Sequence, residues 1–281
     1  MPTSRPDSLQ GPRAEPSAEF RGESPHGHRL VVAVDGPSGS GKSSVCRAVA
    51  QRLGLRYLDT GAMYRALTWW ALDQGVDLSD PATGPSVAGM ARTLPLEIGL
   101  SPSAPHLVLD GRDVSAAVRE PRISGAVSAV ATNLAVREEL VRRQRVIAAE
   151  DGGIVIEGRD ITTVVAPDAD VRVLLTADEQ ARLARRALEV HGSDDQDAIE
   201  ATRDHVVRRD ALDSTVATFT EAAEGVMVVD SSAMTFEETV DAILGLVRAA
   251  AETPTQPQTQ AQAQAQAQAQ TQAQAQAQVS S

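Results

Sequence analysis

The sequence predicts an α/β protein with three layers, in which a parallel sheet of about five strands lies between helices. Short apolar runs alternate with helical patterns over most of residues 31–250, which is typical of parallel β-α-β units. Glycines or charged residues follow several of these runs, at the edge where open α/β sheets bind ligands. The chain of 281 residues is long enough to bury one sizeable core.

Both ends of the chain differ in composition from its centre. Residues 1–28 are rich in Pro, Ser, Gly and charge, and residues 252–281 consist mainly of alternating Gln and Ala. A period of two gives a helix no apolar stripe, and alanine gives a strand little to bury. We therefore expect a disordered leader, a folded domain over 29–251 and a disordered tail. A partner-binding or assembly role for the tail is the alternative.

Charge and cysteine usage limit the classes of partner and compartment. The formal net charge of −12 argues against binding to nucleic acid or to anionic lipid. No apolar run approaches the roughly 18 residues that a membrane span needs. The lone Cys46 has no partner for an intrachain disulfide, which favours a reducing cytoplasm. No exposed apolar helix face stands out, so we expect a monomer.

The first apolar run, residues 31–35, leads into a glycine-rich segment that fits the pattern G-x-x-x-x-G-K-[ST]. In such a loop, backbone N–H groups wrap phosphates, the lysine meets their charge and the hydroxyl meets Mg²⁺. An amphipathic helix follows, so its N-terminus faces the anion. A glycine-rich turn without a ligand is the alternative. The predicted phosphate-binding residues are Gly36, Pro37, Ser38, Gly39, Ser40, Gly41, Lys42, Ser43 and Ser44.

The next segments continue the α/β pattern, with one interruption. A strand over 55–58 precedes a helix that extends to residue 74. Residues 80–119 then contain short strands separated by Pro and Gly, which predicts a small antiparallel insertion. Helical patterns over 123–133 and 136–150 follow, and the basic Arg142, Arg143 and Arg145 of the second helix are predicted to face water.

Two later strands carry charged residues at or after their ends. Arg159 and Asp160 follow the strand over 154–158, where a binding role is favoured over a structural ion pair. After the strand over 171–175, a helix places Arg182, Arg185 and Arg186 on one face. A second charged helix follows, so residues 182–213 are predicted to form a helical lid. A solvated ion-pair face is the alternative. A strand over 226–229 and a helix over 235–251 complete the domain.

These features favour a phosphoryl-transferring enzyme, since that chemistry needs positioning, charge neutralisation and exclusion of water. Neither the base-reading Asn-Lys-x-Asp loop of switch GTPases nor the hydrophobic box ending in Asp-Glu of translocating ATPases is present.

Four ordered motifs resemble those of the bacterial cytidylate kinase family. They are the phosphate loop, Leu58-Asp59-Thr60-Gly61-Ala62-Met63-Tyr64-Arg65, Arg142-Arg143-Gln144-Arg145, and the run from Gly158 to Ala169. The resemblance covers about residues 30–250. It implies a P-loop nucleoside monophosphate kinase that transfers the γ-phosphate of ATP to CMP or dCMP. It also implies that the insertion, about 80–133, helps to bind the monophosphate.

The resemblance also implies roles for single residues. Lys42 would bridge the β- and γ-phosphates, Ser43 would bind Mg²⁺, and Arg182 and Arg186 would neutralise the transferring group. The residues matching the acceptor-binding positions are Thr60, Tyr64, Arg65, Arg159 and Arg209 for the monophosphate, Ser128, Arg137 and Asp160 for cytosine, and Asp213 for the ribose.

One position departs from the family pattern, because Val216 stands where an arginine is usual. Either a neighbouring cation such as Arg208 substitutes, or the monophosphate binds more weakly. Two other functions stay open at this point. One is a small P-loop kinase for another monophosphate or a small metabolite, and the other is a nucleotide-binding regulator without turnover.

Overall fold

A computed structural model describes residues 29–252, apart from the side chain of His205. The strands are β1 (Val31–Asp35), β2 (Arg56–Asp59), β3 (Leu96–Gly99), β4 (His106–Leu109), β5 (Arg112–Asp113), β6 (Ile154–Gly158), β7 (Val171–Thr176) and β8 (Met227–Asp230). The helices are α1 (Lys42–Leu53), α2 (Thr60–Asp73), α3 (Gly84–Thr93), α4 (Pro121–Ala131), α5 (Leu134–Ala149), α6 (Glu179–His191), α7 (Gln196–Asp213) and α8 (Phe236–Glu252).

The main sheet has five parallel strands in the order β2-β6-β1-β7-β8. Successive strand residues point to opposite faces, so the sheet is covered on both sides. Val32 and Val34 of β1 belong to the core under α1 and α8, whereas Ala33 belongs to the core under α2 and α5. The predicted three-layer α/β/α architecture with five parallel strands is therefore confirmed.

The segment between α2 and α4 carries a separate antiparallel sheet of β3, β4 and β5, as predicted. Helix α3 precedes this sheet and was not predicted from the sequence. The side-chain amide of Asn133 donates to the Gly84 carbonyl at 2.9 Å, at the start of α3. Arg143 donates to the Leu94 carbonyl at 2.7 Å, just after α3 ends. The expectation that Arg143 faces water is therefore wrong.

Helices α6 and α7 pack against each other around a small core of their own. Leu183 and Ala187 of α6 meet Ile199 and Val206 of α7 in this core. Asp178 caps α6, because its carboxylate accepts from the Ala181 amide at 2.7 Å. The pair is thus an arginine-bearing helical hairpin, and its role as a lid stays a prediction.

The order of the strands fixes where a ligand can bind. Strand β1 lies between β6 and β7, so the chain reaches both sides of the sheet from this central strand. Ligands of open α/β sheets bind at the carboxyl ends of strands near such a switch point. Residues 1–28 and 253–281, with the predicted leader and nearly all of the predicted tail, lie outside the described residues.

Candidate active site

The phosphate loop runs from the carboxyl end of β1 to the start of α1. Gly41 precedes α1 in the left-handed conformation, with φ 85°, and no side chain caps the helix. The N–H groups of its first turn are therefore directed at whatever lies in front of the helix, which favours an anion. At Gly39, also left-handed, a Cβ would lie 2.4 Å from the Arg182 carbonyl oxygen. A glycine is required there because the loop packs closely against α6.

Lys42 lies at the beginning of α1. Its Nζ donates to the Pro37 carbonyl at 2.7 Å and lies 3.4 Å from the Ser40 hydroxyl, so the lysine folds back over the loop. Burial, and next the positive charge of Arg159, lower the pKa of Lys42 to about 8. A group with this shift gains from a nearby negative charge. The lysine environment is therefore suited to phosphate.

A cavity of about 220 Å³ opens beside the loop. It is bounded by the loop, the end of β6 and residues of α2, α4, α5, α6 and α7. Most of the predicted site residues line it, namely Ser38, Gly39, Gly41, Lys42, Ser43, Ser44, Thr60, Tyr64, Arg65, Arg137, Arg159, Asp160, Arg186, Arg209 and Asp213. The predicted residues outside this lining are Gly36, Pro37, Ser40, Ser128 and Arg182.

Three of the lining arginines, Arg65, Arg159 and Arg209, lie close enough together to repel one another. Arg65 pairs with Asp59 at 2.7 Å, and the Arg209 Nε lies 3.7 Å from Asp213 without forming a hydrogen bond among the described residues. Burial and the charges of Arg159 and Arg65 lower the pKa of Arg209 to about 10. This part of the cavity is therefore suited to an anion, since a bound phosphate would relieve the repulsion.

Arg159 connects the loop, α7 and a buried aromatic ring. It donates to the Gly36 carbonyl at 2.9 Å and pairs with Asp210 at 2.9 Å and with Asp213 at 3.2 Å. Its guanidinium lies 4.3 Å from the centroid of the Phe219 ring, a cation–π contact. The sequence analysis missed Phe219, and only its position near the charged α7 segment hinted at it.

Arg137 and Asp160 form an ion pair in the lining of the cavity. Asp160 is 6% exposed, and burial raises the pKa of its carboxyl despite the attraction of Arg137. Two such side chains offer a hydrogen-bond acceptor beside donors, which suits a ring with a matching polar edge. Ser128 lies nearby on α4, where its hydroxyl is 3.4 Å from the Asp213 carboxylate.

The two arginines predicted to act from the lid differ in their surroundings. Arg186 lines the cavity and pairs with Glu189 at 2.7 Å. Arg182 instead bridges the Ser38 carbonyl, at 3.0 Å, and Asp210 of α7. Arg182 is thus held at the phosphate loop, next to the cavity and not in its lining.

Glu157, a further acidic residue missed by the sequence analysis, lies at the carboxyl end of β6. It is 3% exposed, lines the cavity together with Ser43, and accepts a hydrogen bond from the Tyr57 hydroxyl. Burial raises the pKa of its carboxyl. The available signal was an acid at the end of an apolar strand, because β6 pairs with the strand that carries the loop.

Near Val216 the cavity lacks the cation expected there. Val216 itself lines the cavity, whereas Arg208 is exposed and does not. A different cation, Arg119, does line the cavity, at the end that also contains Asp59. Substitution by Arg208 therefore finds no support in the geometry.

A phosphate loop on a central strand, opening onto an arginine-lined cavity, defines a P-loop kinase. The family model described as cytidylate kinase matches residues 32–249. A cytidylate kinase of Cutibacterium acnes is 51% identical over 219 residues, which cover 78% of this chain and 96% of the relative. That of Streptomyces avermitilis is 44% identical over 220 residues, covering 78% and 92%. The chain belongs to the cytidylate kinase family.

Proposed function

We propose that this protein transfers the γ-phosphate of ATP to CMP or dCMP, giving CDP or dCDP and ADP. The observation that carries the proposal is one cavity that joins three elements: the phosphate loop, a cluster of arginines and the Arg137–Asp160 pair. A donor phosphate, an acceptor phosphate and a polar base edge each have a matching surface there. The names of the relatives support the same substrate class.

The base is selected by the Arg137–Asp160 pair. Cytosine presents an exocyclic amine donor beside the ring N3 and O2 acceptors, so the Asp160 carboxylate accepts from the amine while Arg137 donates. Uracil would turn a carbonyl toward the same carboxylate and leave both oxygen groups without a donor. Ser128 adds a hydroxyl donor, and Asp213 accepts from the sugar.

The acceptor phosphate binds among Arg65, Arg159 and Arg209, with Thr60 and Tyr64 at its edge. These cations neutralise the phosphate that attacks, and no general base is required because the attacking oxygen is already ionised. On the donor side, the loop residues 36–44 wrap the ATP phosphates and Lys42 meets their charge. Arg182 and Arg186, in the 182–213 lid, offset charge on the transferring group and help to exclude water.

The residues present fit a Mg²⁺ ion brought by the nucleotide. Mg²⁺ is usually held by one or two protein oxygens together with substrate phosphates. The Ser43 hydroxyl and the buried Glu157 carboxylate, which both line the cavity, supply oxygens of this kind. Within residues 29–252, no larger group of His, Cys, Asp or Glu is arranged to hold a metal. When bound, the ion would neutralise charge on the donor phosphates.

The remaining expectations concern membrane association, location, oligomeric state and the insertion. None of the helices within residues 29–252 is long and apolar enough to cross a membrane. A monomer in the cytoplasm, with an insertion over 80–133 that helps to bind the monophosphate, stays a prediction.

An assay of ATP-dependent ADP release with a panel of nucleoside monophosphates tests the proposed function. We expect CMP and dCMP to support turnover, with kcat/KM more than about 10²-fold above that for UMP, because a hydrogen-bonding site rejects better than shape alone. AMP, GMP and shikimate serve as further acceptors. Comparable turnover of CMP and UMP would contradict the assignment of the base pocket, and no turnover with any acceptor would contradict the whole proposal.

Introducing the missing cation by Val216→Arg is expected to lower the KM for CMP. Val216 lines the cavity near the anion site, so an arginine there adds a partner for the acceptor phosphate. A charge-assisted hydrogen bond of about 1.5–3 kcal/mol corresponds to a decrease of roughly tenfold or more. The steady-state KM for CMP provides the measurement. Arg208→Ala is the matched test of compensation, and we expect it to leave the KM unchanged because Arg208 is exposed.

A further inference from the structure

The last residue of β1, Asp35, is buried beneath the site. It is 1% exposed. One of its carboxylate oxygens accepts from the Ile161 amide at 2.7 Å, and the other accepts from the Thr162 amide at 2.8 Å and the Thr162 hydroxyl at 2.6 Å. Each oxygen therefore has at least one donor, and all three donors belong to the same turn.

This turn, Ile161–Val165, begins directly after Asp160. It is a single π-helical turn, in which the amides of Val164 and Val165 both donate to the Asp160 carbonyl. Such turns are rare and occur frequently at functional sites. The direction in which the Asp160 side chain leaves the backbone depends on how this turn is held.

Gly36, the residue after Asp35, contacts Arg159, which lies just before Asp160 and the turn. The Gly36 carbonyl accepts from the Arg159 guanidinium at 2.9 Å. Two consecutive residues at the end of β1 thus fix a residue that meets the acceptor phosphate and the turn that presents the base-reading carboxylate. Because Gly36 also begins the phosphate loop, donor and acceptor surfaces share this anchor.

We propose that Asp35 is a positioning residue for acceptor selectivity, which acts by holding the turn Ile161–Val165 so that Asp160 faces the cytosine. The inference rests on the proposed function, since it assigns Asp160 to the base. A purely structural role is less consistent with the chemistry. Burying a carboxylate is costly, and an apolar residue could fill the same space at lower cost.

The test uses Thr162, which donates to Asp35 but does not line the substrate cavity. Thr162→Val removes the hydroxyl and nearly preserves the volume, while Thr162→Ser retains the hydroxyl and is the matched control. Losing one hydrogen bond to a charged group corresponds to about tenfold or more in an equilibrium constant. We expect Thr162→Val to raise the KM for CMP by about tenfold and to lower the CMP/UMP ratio of kcat/KM by a similar factor. The KM for ATP should change less than about twofold, and Thr162→Ser should resemble the parent protein.

Amide hydrogen exchange in the substrate-free protein gives a second readout that does not depend on turnover. We expect faster exchange at Ile161 and Thr162 in the valine variant, but not in the serine variant, because the hydroxyl helps to orient the accepting carboxylate. Asp35→Asn should increase the same effects, since an amide cannot accept from all three donors. If Asp35→Asn fails to fold, the Thr162 pair still decides the question.

The outcomes separate this inference from the proposed function. Equal increases in the KM for CMP and for ATP, or unchanged kinetics with unchanged exchange, would overturn the role of Asp35 while CMP phosphorylation stands. If the parent protein itself does not distinguish CMP from UMP, the proposed function fails. In that case the selectivity role fails with it, whereas altered exchange at the two amides would still show that Asp35 holds the turn.

Discussion

Replacing Lys42 with alanine is expected to abolish phosphoryl transfer while the protein stays folded. In the proposed function the Nζ of Lys42 meets the donor phosphates, and its partners in the structure are the Pro37 carbonyl and the Ser40 hydroxyl. Losing one preorganised donor to a developing charge typically costs about 10²–10³-fold in kcat. Because lysine also neutralises the ground-state phosphates, we expect kcat/KM for ATP to fall by at least about 10³-fold.

We expect Lys42→Ala to lose activity without losing stability. The lowered pKa of Lys42 shows that the charged lysine opposes folding. The fold lowers the pKa of Lys42 from the usual value to about 8, so the charged lysine is less favourable in the folded chain than in the unfolded one. Below about pH 8 this costs folding free energy, and the cost decreases as the pH rises from about 8 toward the pKa of the unfolded chain. Removing the side chain should therefore leave the melting temperature unchanged or higher at neutral pH.

Chemical labelling can report on Lys42 specifically, because Lys42 is the only lysine in the 281-residue sequence. An amine-reactive reagent at about pH 8 will modify Lys42 and the α-amino group alone, and ATP should protect Lys42 from it. Turnover is followed by ADP release and folding by circular dichroism. Arg248→Ala, which removes an exposed cation of α8, serves as the charge control. Retained activity in Lys42→Ala, or labelling that ATP does not slow, would contradict the role.

The fold was predictable wherever a local signal and the final packing agree. The phosphate loop, the cap at Asp178 and the alternation of strands and helices each depend on residues that are close together in the sequence. Helix α3 was missed because Gly84, Pro85 and Gly89 give its segment a poor helical propensity. Its ends are held from a distance by Asn133 and Arg143, and such contacts have no local signature.

The residues of the candidate site also fall into a predictable group and an unpredictable group. The residues predicted to bind ligands lie in recognisable motifs, and most of them line one cavity. The residues that hold them were not predictable, because their partners are far away in sequence. Asp35 bonds to an amide 126 residues later, and Arg159 stacks on Phe219 from another segment. Glu157 was also not predictable, since a single buried acid at a strand end has many structural explanations.

Replacing Asp160 with asparagine is expected to remove the preference for CMP over UMP. Asp160 is buried beside Arg137, and as a carboxylate it only accepts hydrogen bonds, which matches the amine of cytosine. Asparagine has both an acceptor and a donor, so its amide can face either the cytosine amine or the uracil carbonyl. We expect the CMP/UMP ratio of kcat/KM to fall by at least about 10²-fold, through both a loss with CMP and a gain with UMP.

Steady-state kinetics with CMP, dCMP and UMP at saturating ATP measure this change, and the KM for ATP should stay within about twofold because the loop is untouched. Asp168→Asn is the matched control, since it removes an exposed carboxylate from the same segment and should keep the parent ratio. A uniform loss with CMP and UMP would mean that Asp160 supports the Arg137 geometry without reading the base. A gain with UMP separates the two explanations, because only a group that faces the pyrimidine edge can convert rejection of a carbonyl into acceptance.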